Sequence, residues 1–430
     1  MSIILTIVYI LLIIILCFAT FIDKAYGHDY ALANIYHTWW FFCVWALLGL
    51  SGTIVFIKRF CLRKAKSAGL YINICTIHLS LAIILIGAAT SFLTSHEGTI
   101  RLYKDIPQQI YHDGTQKRII PFAITRDNAL EADGEIKTSF TVRDYHFHLS
   151  SISADHQSAI YTLRHDPWGT GVTYLGYLML LICSIVHFAN SLFYKTTKTT
   201  SSSCRSSNPS IRNQSVLLPT IIIIPIAYCT HWFYYGRMPL SNGYEVMLLL
   251  SLCILTTGII AFKNDRSMLR TSIITSLAIF TAALIFMDSN AGPLPPVLNS
   301  PLLYLHVITI IIAYALLTTI TIISAKHLLK HHQSLPHPHL LTAGVLLLAI
   351  GIFLGAVWAN TSWGRYWSWD PKEVWALITL FVYSVPLHHK SIKFLQTPKY
   401  YHLYMLLAFL TVLMTYFGVN YILGGMHSYA

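Results

Sequence analysis

IILTIVYILLIIILCFATFI, residues 3 to 22, runs for twenty residues without a charge. A helix rises about 1.5 Å per residue, so such a run matches a hydrocarbon layer of roughly 30 Å and reads as a membrane span. No basic segment precedes it and no small-residue cleavage site follows cleanly, so it is expected to stay a membrane helix, not a removable signal. Ten further stretches read the same way: 38 to 57, 71 to 93, 171 to 194, 216 to 235, 243 to 262, 271 to 287, 301 to 325, 340 to 358, 372 to 389 and 402 to 422. The composition agrees, with 55% apolar and 11% charged residues in a chain of 430. Soluble domains carry roughly 25% charged residues. An ordinary soluble enzyme is therefore excluded, and an all-α polytopic membrane protein of eleven transmembrane helices is expected.

The charges orient it. With the amino terminus placed in the cytoplasm, the loops on that side hold 17 basic residues and one acid, Asp265. They include Lys58, Arg59 and Lys64, then Lys195 and Arg212, Lys263 and Arg270, Lys326 and Lys330, and Lys390 and Lys399. The short outer loops hold Lys24, Arg237, Arg365 and Lys372. This is the positive-inside pattern, and it puts the carboxyl terminus outside. The net charge of +12 is thus expected to face a lipid bilayer and no nucleic acid. None of the eight cysteines forms a C-x-x-C pair, so a disulfide framework, a cysteine zinc site and covalent haem attachment to this chain are all unexpected.

Between the third and fourth spans lies one sizeable polar segment, residues 95 to 167. Its run Thr138 to Leu149 alternates apolar and polar, and Asp113-Gly114 and Asp133-Gly134 are turn signals, so a small β-rich extracytoplasmic domain is expected. Residues 195 to 215 are basic and rich in Ser and Thr, as in a flexible cytoplasmic linker. It would divide a four-helix front, 1 to 194, from a seven-helix back, 216 to 430.

Chemistry concentrates in the outer loop 358 to 375, whose core is WGRYWSWDPKEVW. Trp363, Trp367, Trp369 and Trp375 follow Trp358 within eighteen residues. An interfacial aromatic belt would be satisfied by one or two rings. Five flat indoles, with Gly364 among them, suit a planar apolar ligand, and Arg237 and Arg365 could pair with its carboxylates. Asp370-Pro371-Lys372-Glu373 also has the form of a helix start, with Asp370 as cap and Glu373 closing a capping box, so these two acids could orient the next helix or touch ligand.

Histidine at membrane depth is the second signal. His306 follows the helix start Ser300-Pro301, and His427 lies in the tail GGMHSYA, both on the expected outer side. His78 and His388 share the inner half. Two imidazoles on each side suit six-coordinate haem iron. His146 and His148 alternate on one strand and are as readily core-edge residues as ligands. His388 and His402 are fourteen apart, but Pro398 interrupts any shared helix.

WGRYWSWDPKEVWALI resembles the WWD signature of the haem-handling superfamily of cytochrome c maturation, in the CcsA (ResC) branch of system II cytochrome c synthases. RMPLSNGYE, SPLLYLHV around His306, the Leu-His at His388 and GVNYILGGMHSYA extend the resemblance over residues 216 to 430. HTWWFFCVWALLGL and HLSLAIILIGAATSFLTSHEG, with His78, resemble a shortened ResB front, and the whole is similar to a fused CcsBA-type protein. The resemblance implies a holocytochrome c synthase (cytochrome c haem lyase) in a bacterial inner membrane. Haem b, as substrate and bound ligand, would enter at His78 and His388 and be held outside by His306 and His427. There its vinyl groups would join the C-x-x-C-H cysteines of an apocytochrome c kept reduced by a thioredoxin-like protein. The resemblance also implies haem contacts from Trp363, Gly364, Arg365, Trp367, Trp369, Asp370, Glu373 and Trp375. Alternatives are a haem exporter without synthase activity, a b-type electron-transfer cytochrome, which would need paired histidines on two helices, and a structural anchor.

Overall fold

The computed structural model describes residues 3–62, 68–114, 116–130, 136–153, 157–198, 217–290, 292, 298–330 and 338–425. His427, the turn Asp133-Gly134 and residues 199–215 of the expected linker lie outside the described residues. The helices are α1 (Ile3–Tyr26), the short α2 (His28–Ala31), α3 (Trp39–Leu62), α4 (Ala68–Thr94), α5 (Gly169–Lys198), α6 (Leu217–Tyr235), α7 (Gly243–Phe262), α8 (Arg266–Phe286), α9 (Pro301–Leu329), α10 (Pro338–Trp363), α11 (Pro371–Ser384) and α12 (Pro398–Leu413). Among the described residues, nine are long and apolar enough to cross a membrane. The other two expected spans fall on α6, of 19 residues with Pro225 inside it, and on α11, of 14 residues continued by a 3-10 turn over Val385–Ser391.

The chain forms two compact units, and both draw on its front and its back. One comprises Met1–Arg63, Ile185–Gly355 and Trp369–Ala430; the other comprises Lys64–Ser184 and Ala356–Ser368.

In the first unit α7 packs on α8 and α9, α9 on α12, and α11 on α1 and α12. Lipid offers no hydrophobic drive between helices, so close approach depends on small residues and shape. The register of α10 against α9 shows this. Methyl groups placed on Gly344, Gly351 and Gly355 would meet the side chains of Leu317, Ile310 and His306 in turn. The start of α11 is built by side chains, because a helix leaves its first N–H groups without intrahelical partners. The Asp370 carboxylate accepts the Glu373 N–H and the Asp370 N–H donates to Glu373 Oε2 at 3.2 Å, which is the capping box, and Asp370 Oδ1 also takes the Lys372 N–H at 2.9 Å. The last helix does not stop at Leu413 but widens into a π-helical segment, Met414–Leu423, a rare geometry that is frequent at functional sites.

The second unit holds α4, α5 as far as Ser184 and a six-stranded antiparallel sheet. Its strands are β1 (His96–Tyr103), β2 (Gln108–Asp113), β3 (Gln116–Ile124), β4 (Ser139–Val142), β5 (Tyr145–Ile152) and β6 (Ser158–His165), in the order β3-β2-β1-β6-β5-β4. The central pair, β1 and β6, follows directly on α4 and leads directly into α5. The expected β-rich domain is therefore present between the third and fourth spans. The alternating run 138–149 is a hairpin, turning at Arg143, whose φ is +54°. Phe140 and Phe147 face each other across it with rings stacked 4.7 Å apart. Ile100, Leu102, Tyr111, Ile120, Phe147, Tyr161 and Leu163 form the core of this sheet.

Candidate functional site

The tryptophan loop is divided between the units. Trp369 opens the first unit's part with a φ of +59°, a left-handed backbone that a bulky side chain rarely adopts. Surrounding packing holds it there. Its indole stacks on Tyr36 at 4.7 Å and 10°, while Phe41 stands edge-on at 5.2 Å and Trp45 lies at 6.4 Å. Next along, Trp375 donates its indole N–H to Thr20 Oγ1 of α1 at 3.1 Å. These indoles pack on residues from the front of the chain, which the sequence reading did not connect to them. Lys372 donates to Asn420 Oδ1 at 2.8 Å, and Lys24 donates to the Ile422 carbonyl, so two ammonium groups tie α11 and α1 to the π-helical segment.

In the second unit Trp358 is buried and meets Trp363 edge-on at 4.8 Å. Gly364 has a φ of +74° and lies against His148 of β5. Arg365 forms an ion pair with Glu97, while Trp367 is half-buried. Burial holds the imidazoles of His146, His148 and His165 below the usual histidine pKa, with the charge of Arg164 adding to the effect at His146.

Three of the four expected ligand histidines are described. His306 is half-buried on α9 and bonds its Nδ1 to the Gly351 carbonyl of α10 at 2.7 Å, with its ring filling the space over Gly355. His78 bonds Nδ1 to the Ile74 carbonyl at 2.8 Å, and His388 bonds Nδ1 to the Ser384 carbonyl at 3.0 Å. In each, the bond to a carbonyl selects the tautomer protonated at Nδ1, whose lone pair is on Nε2. His388 is exposed in the 3-10 turn after α11, while His78 is half-buried on α4 of the second unit.

Both arginines chosen from the sequence have carboxylate partners. Arg237 lies 3.2 Å from Glu245 Oε1, and the fully buried Glu245 also takes His231 Nε2 at 3.1 Å and the Ser241 N–H at 2.6 Å. A buried carboxylate needs this many donors to offset its lost hydration. Elsewhere in this unit His327 and His402 stack 5.0 Å apart near the end of α9 and the start of α12, both buried.

Residues 240–427 match the model of the cytochrome C assembly protein family. The protein NrfI of Wolinella succinogenes is 38% identical over 215 residues, 45% of this chain and 23% of NrfI. The cytochrome c biogenesis protein CcsA of Chlamydomonas reinhardtii is 33% identical over 246 residues, 50% of this chain and 69% of that protein. CcsA of Trachelium caeruleum is 30% identical over 265 residues, 50% of this chain and 84% of that protein. The chain belongs to the cytochrome c assembly family. It spans less than a quarter of NrfI but most of CcsA. The family match starts just ahead of α7 and takes in α9, the tryptophan loop, α11 and the π-helical segment. It excludes α1 to α6 and the sheet domain, so Tyr36, Thr20 and His148 are features that the match does not describe.

Two residue sets escaped the sequence reading although a signal was there. GIFLG, 351 to 355, is a small-xxx-small pattern of the kind that lets another helix approach, and it seats His306. The aromatic stretch YHTWWFFCVW, 36 to 45, reads in sequence only as a resemblance to a ResB front, and it supplies Tyr36, Phe41 and Trp45 around Trp369.

Proposed function

We propose that this chain carries haem across the membrane and attaches it through thioether bonds to the cysteines of C-x-x-C-H motifs in apocytochrome c, as a holocytochrome c synthase. Haem is substrate here. The observation that carries the reading is the seat of His306: an imidazole held by the Gly351 carbonyl at Nδ1 and packed on the face of Gly355, with the lone pair of its tautomer on Nε2. Such a ring loses little freedom on meeting a metal. His427 supplies the second outer ligand, and His78 and His388 are each haem ligands on the cytoplasmic side.

The residues of the chain bind and orient. His306 and His427 fix the ring plane, and Trp363, Trp367, Trp369 and Trp375 with Gly364 shape the apolar wall around it. Arg237 and Arg365 offer charge to the propionates while also answering Glu245 and Glu97. Asp370 and Glu373 act by starting α11. Holding two vinyl groups against two thiols converts a bimolecular addition into a near-unimolecular one, which can be worth on the order of 7 kcal/mol or more of barrier. No strong acid or base is required of the protein. In this reading the front of the chain is a shortened ResB-like partner, and the chain crosses a bacterial inner membrane eleven times with the tryptophan loop outside. A thioredoxin-like protein keeps the client thiols reduced.

The test is co-expression with a C-x-x-C-H apocytochrome in a host without its own maturation system, followed by a haem stain of a denaturing gel. A covalent haem band on the client is expected, and its loss in His306→Ala with recovery on added imidazole ties it to the outer ligand. A purified protein with a bis-histidine spectrum but no client band makes the chain a carrier without synthase activity.

A further inference from the structure

Three successive residues of the tryptophan loop are each held by a different strand of the sheet domain. Gly364 lies on β5, where a methyl group in its place would stand 3.0 Å from His148 Cβ. Arg365 pairs with Glu97 of β1. Tyr366 lies beneath the guanidinium of Arg164 of β6, 4.8 Å from the ring centroid. Since β1, β6 and β5 are neighbours in the sheet, the segment crosses three adjacent strands.

The three contacts differ in weight. The side chains of Arg365 and Glu97 are 42% and 38% exposed, so their pairing is screened and adds little. The side chains of Arg164 and Asp166 are 16% and 1% exposed, with Arg164 3.7 Å from the carboxylate. Asp166 in turn accepts from Ser91 at the end of α4 at 2.6 Å, from the Gly169 N–H at 2.9 Å and from Thr170 at 2.9 Å. Thr170 Oγ1 accepts the Tyr366 hydroxyl proton at 2.8 Å, which closes the circuit back to the loop. Such chains strengthen each member and give the group one geometry. Tyr174 of α5 stands edge-on to the Tyr366 ring at 5.4 Å. The loop cannot hold this shape by itself, because Gly364 is free to leave its positive φ.

We propose that Arg164, backed by Asp166, is a positioning residue for haem attachment: it fixes the Gly364 to Tyr366 segment on the sheet, so the sheet domain is the seat of the loop. This rests on the proposed role of the tryptophan loop in presenting haem. It assigns a task to a small domain that the family match leaves out.

The experiment uses the full chain in detergent, as wild type, Arg164→Gln, Arg164→Lys and Tyr366→Leu. Hydrogen exchange of peptides covering 363–368 is compared with that of the sheet core 158–163, and haem content, visible spectrum and holocytochrome yield against client concentration are measured. For Arg164→Gln, exchange in 363–368 is expected to rise about tenfold while the sheet core is unchanged. Haem stays bound with an altered spectrum, and attachment falls about 10- to 100-fold in kcat, not KM, as a displacement near 1 Å would produce. Arg164→Lys restores part of each. Wild-type exchange and yield in Arg164→Gln would overturn the proposal, as would loss of protection across the whole sheet, which makes Arg164 merely structural. If Arg164→Gln does not fold, Tyr366→Leu reads the same contact from the loop side, where no strand is disturbed. Should wild type attach no haem while loop exchange and haem spectrum still respond to Arg164, the synthase reading fails and the positioning of haem stands.

Discussion

The indole of Trp369 lies flat on the ring of Tyr36, 4.7 Å away and 10° from parallel, although the two residues are separated by most of the chain. The left-handed backbone at Trp369 costs roughly 1–3 kcal/mol, and an aromatic pair returns about 0.5–1.5 kcal/mol beyond its buried area. Tyr36 is 2% exposed, and its hydroxyl has no hydrogen-bond partner among the described residues. Tyr36→Phe keeps the stack and removes the unsatisfied hydroxyl, so it is expected to be neutral or to stabilise by about 1 kcal/mol. Tyr36→Ala removes the stack and is expected to cost about 3–5 kcal/mol. Thermal unfolding in detergent followed by tryptophan fluorescence separates them; a large loss in Tyr36→Phe would show that the hydroxyl is satisfied by something else.

His306 and Gly355 give a second prediction, because the ring occupies the volume that any side chain at 355 would need. A methyl there would stand 2.7 Å from His306 Cε1 and 2.9 Å from Nδ1. Gly355→Ala is expected to abolish low-spin haem as thoroughly as His306→Ala does. The two differ in rescue: imidazole fills the space left by His306→Ala, whereas the added methyl in Gly355→Ala pushes the ring aside and leaves nothing to fill. Gly344→Ala, which meets Leu317 Cδ2 at 2.9 Å on the same face of α10, is the control and should lower stability without altering the spectrum. Imidazole rescue of Gly355→Ala would refute the steric account.

Much of this arrangement could be read in the sequence, and the part that could not has a common cause. The spans and the start of α11 at Asp370 follow from local composition, and the capping box expected there forms. The partners of Arg237 and Arg365 were not legible in the same way. Glu245 lies eight residues from Arg237 across the turn that starts α7, while Glu97 lies 268 residues from Arg365. Hydropathy likewise finds α1 but cannot say that Thr20 accepts the indole N–H of Trp375. Uniformly apolar helices carry almost no facial asymmetry, so nothing in such a segment announces its neighbour. The π-helical stretch 414–423 has no composition signal of its own.

Acid should loosen the sheet domain. Burial lowers the pKa of His146, His148 and His165 from 6.5 in the folded chain. The unfolded chain therefore takes up protons first as pH falls. The stability these groups contribute is complete above about 6.5 and shrinks below it, toward their lowered folded values. Hydrogen exchange of β5 and β6, corrected for the intrinsic rate, is expected to show less protection at pH 5.5 than at 7.5. His148→Gln should flatten that difference, and equal protection at both values would rule the linkage out.

Gly425 gives the last prediction. It has a φ of +132°, and a methyl group on it would stand 2.6 Å from Asp370 Oδ2 and 3.3 Å from Pro371 Cδ. Asp370 is 2% exposed and already committed to the start of α11, so it has little room to yield. Gly425→Ala thus combines backbone strain with a collision, and is expected to cost about 2–4 kcal/mol and to cut haem attachment at least tenfold. Strain and collision can be told apart. Asp370→Ala loses the cap, about 1 kcal/mol, but opens the space beside Gly425. In that background the added cost of Gly425→Ala should fall to the strain alone, giving a coupling of roughly 0.5–3 kcal/mol in a double-mutant cycle. Strict additivity would mean that Gly425 is required for its φ only. An unchanged melting temperature in Gly425→Ala would mean that the chain can pass Asp370 by another route.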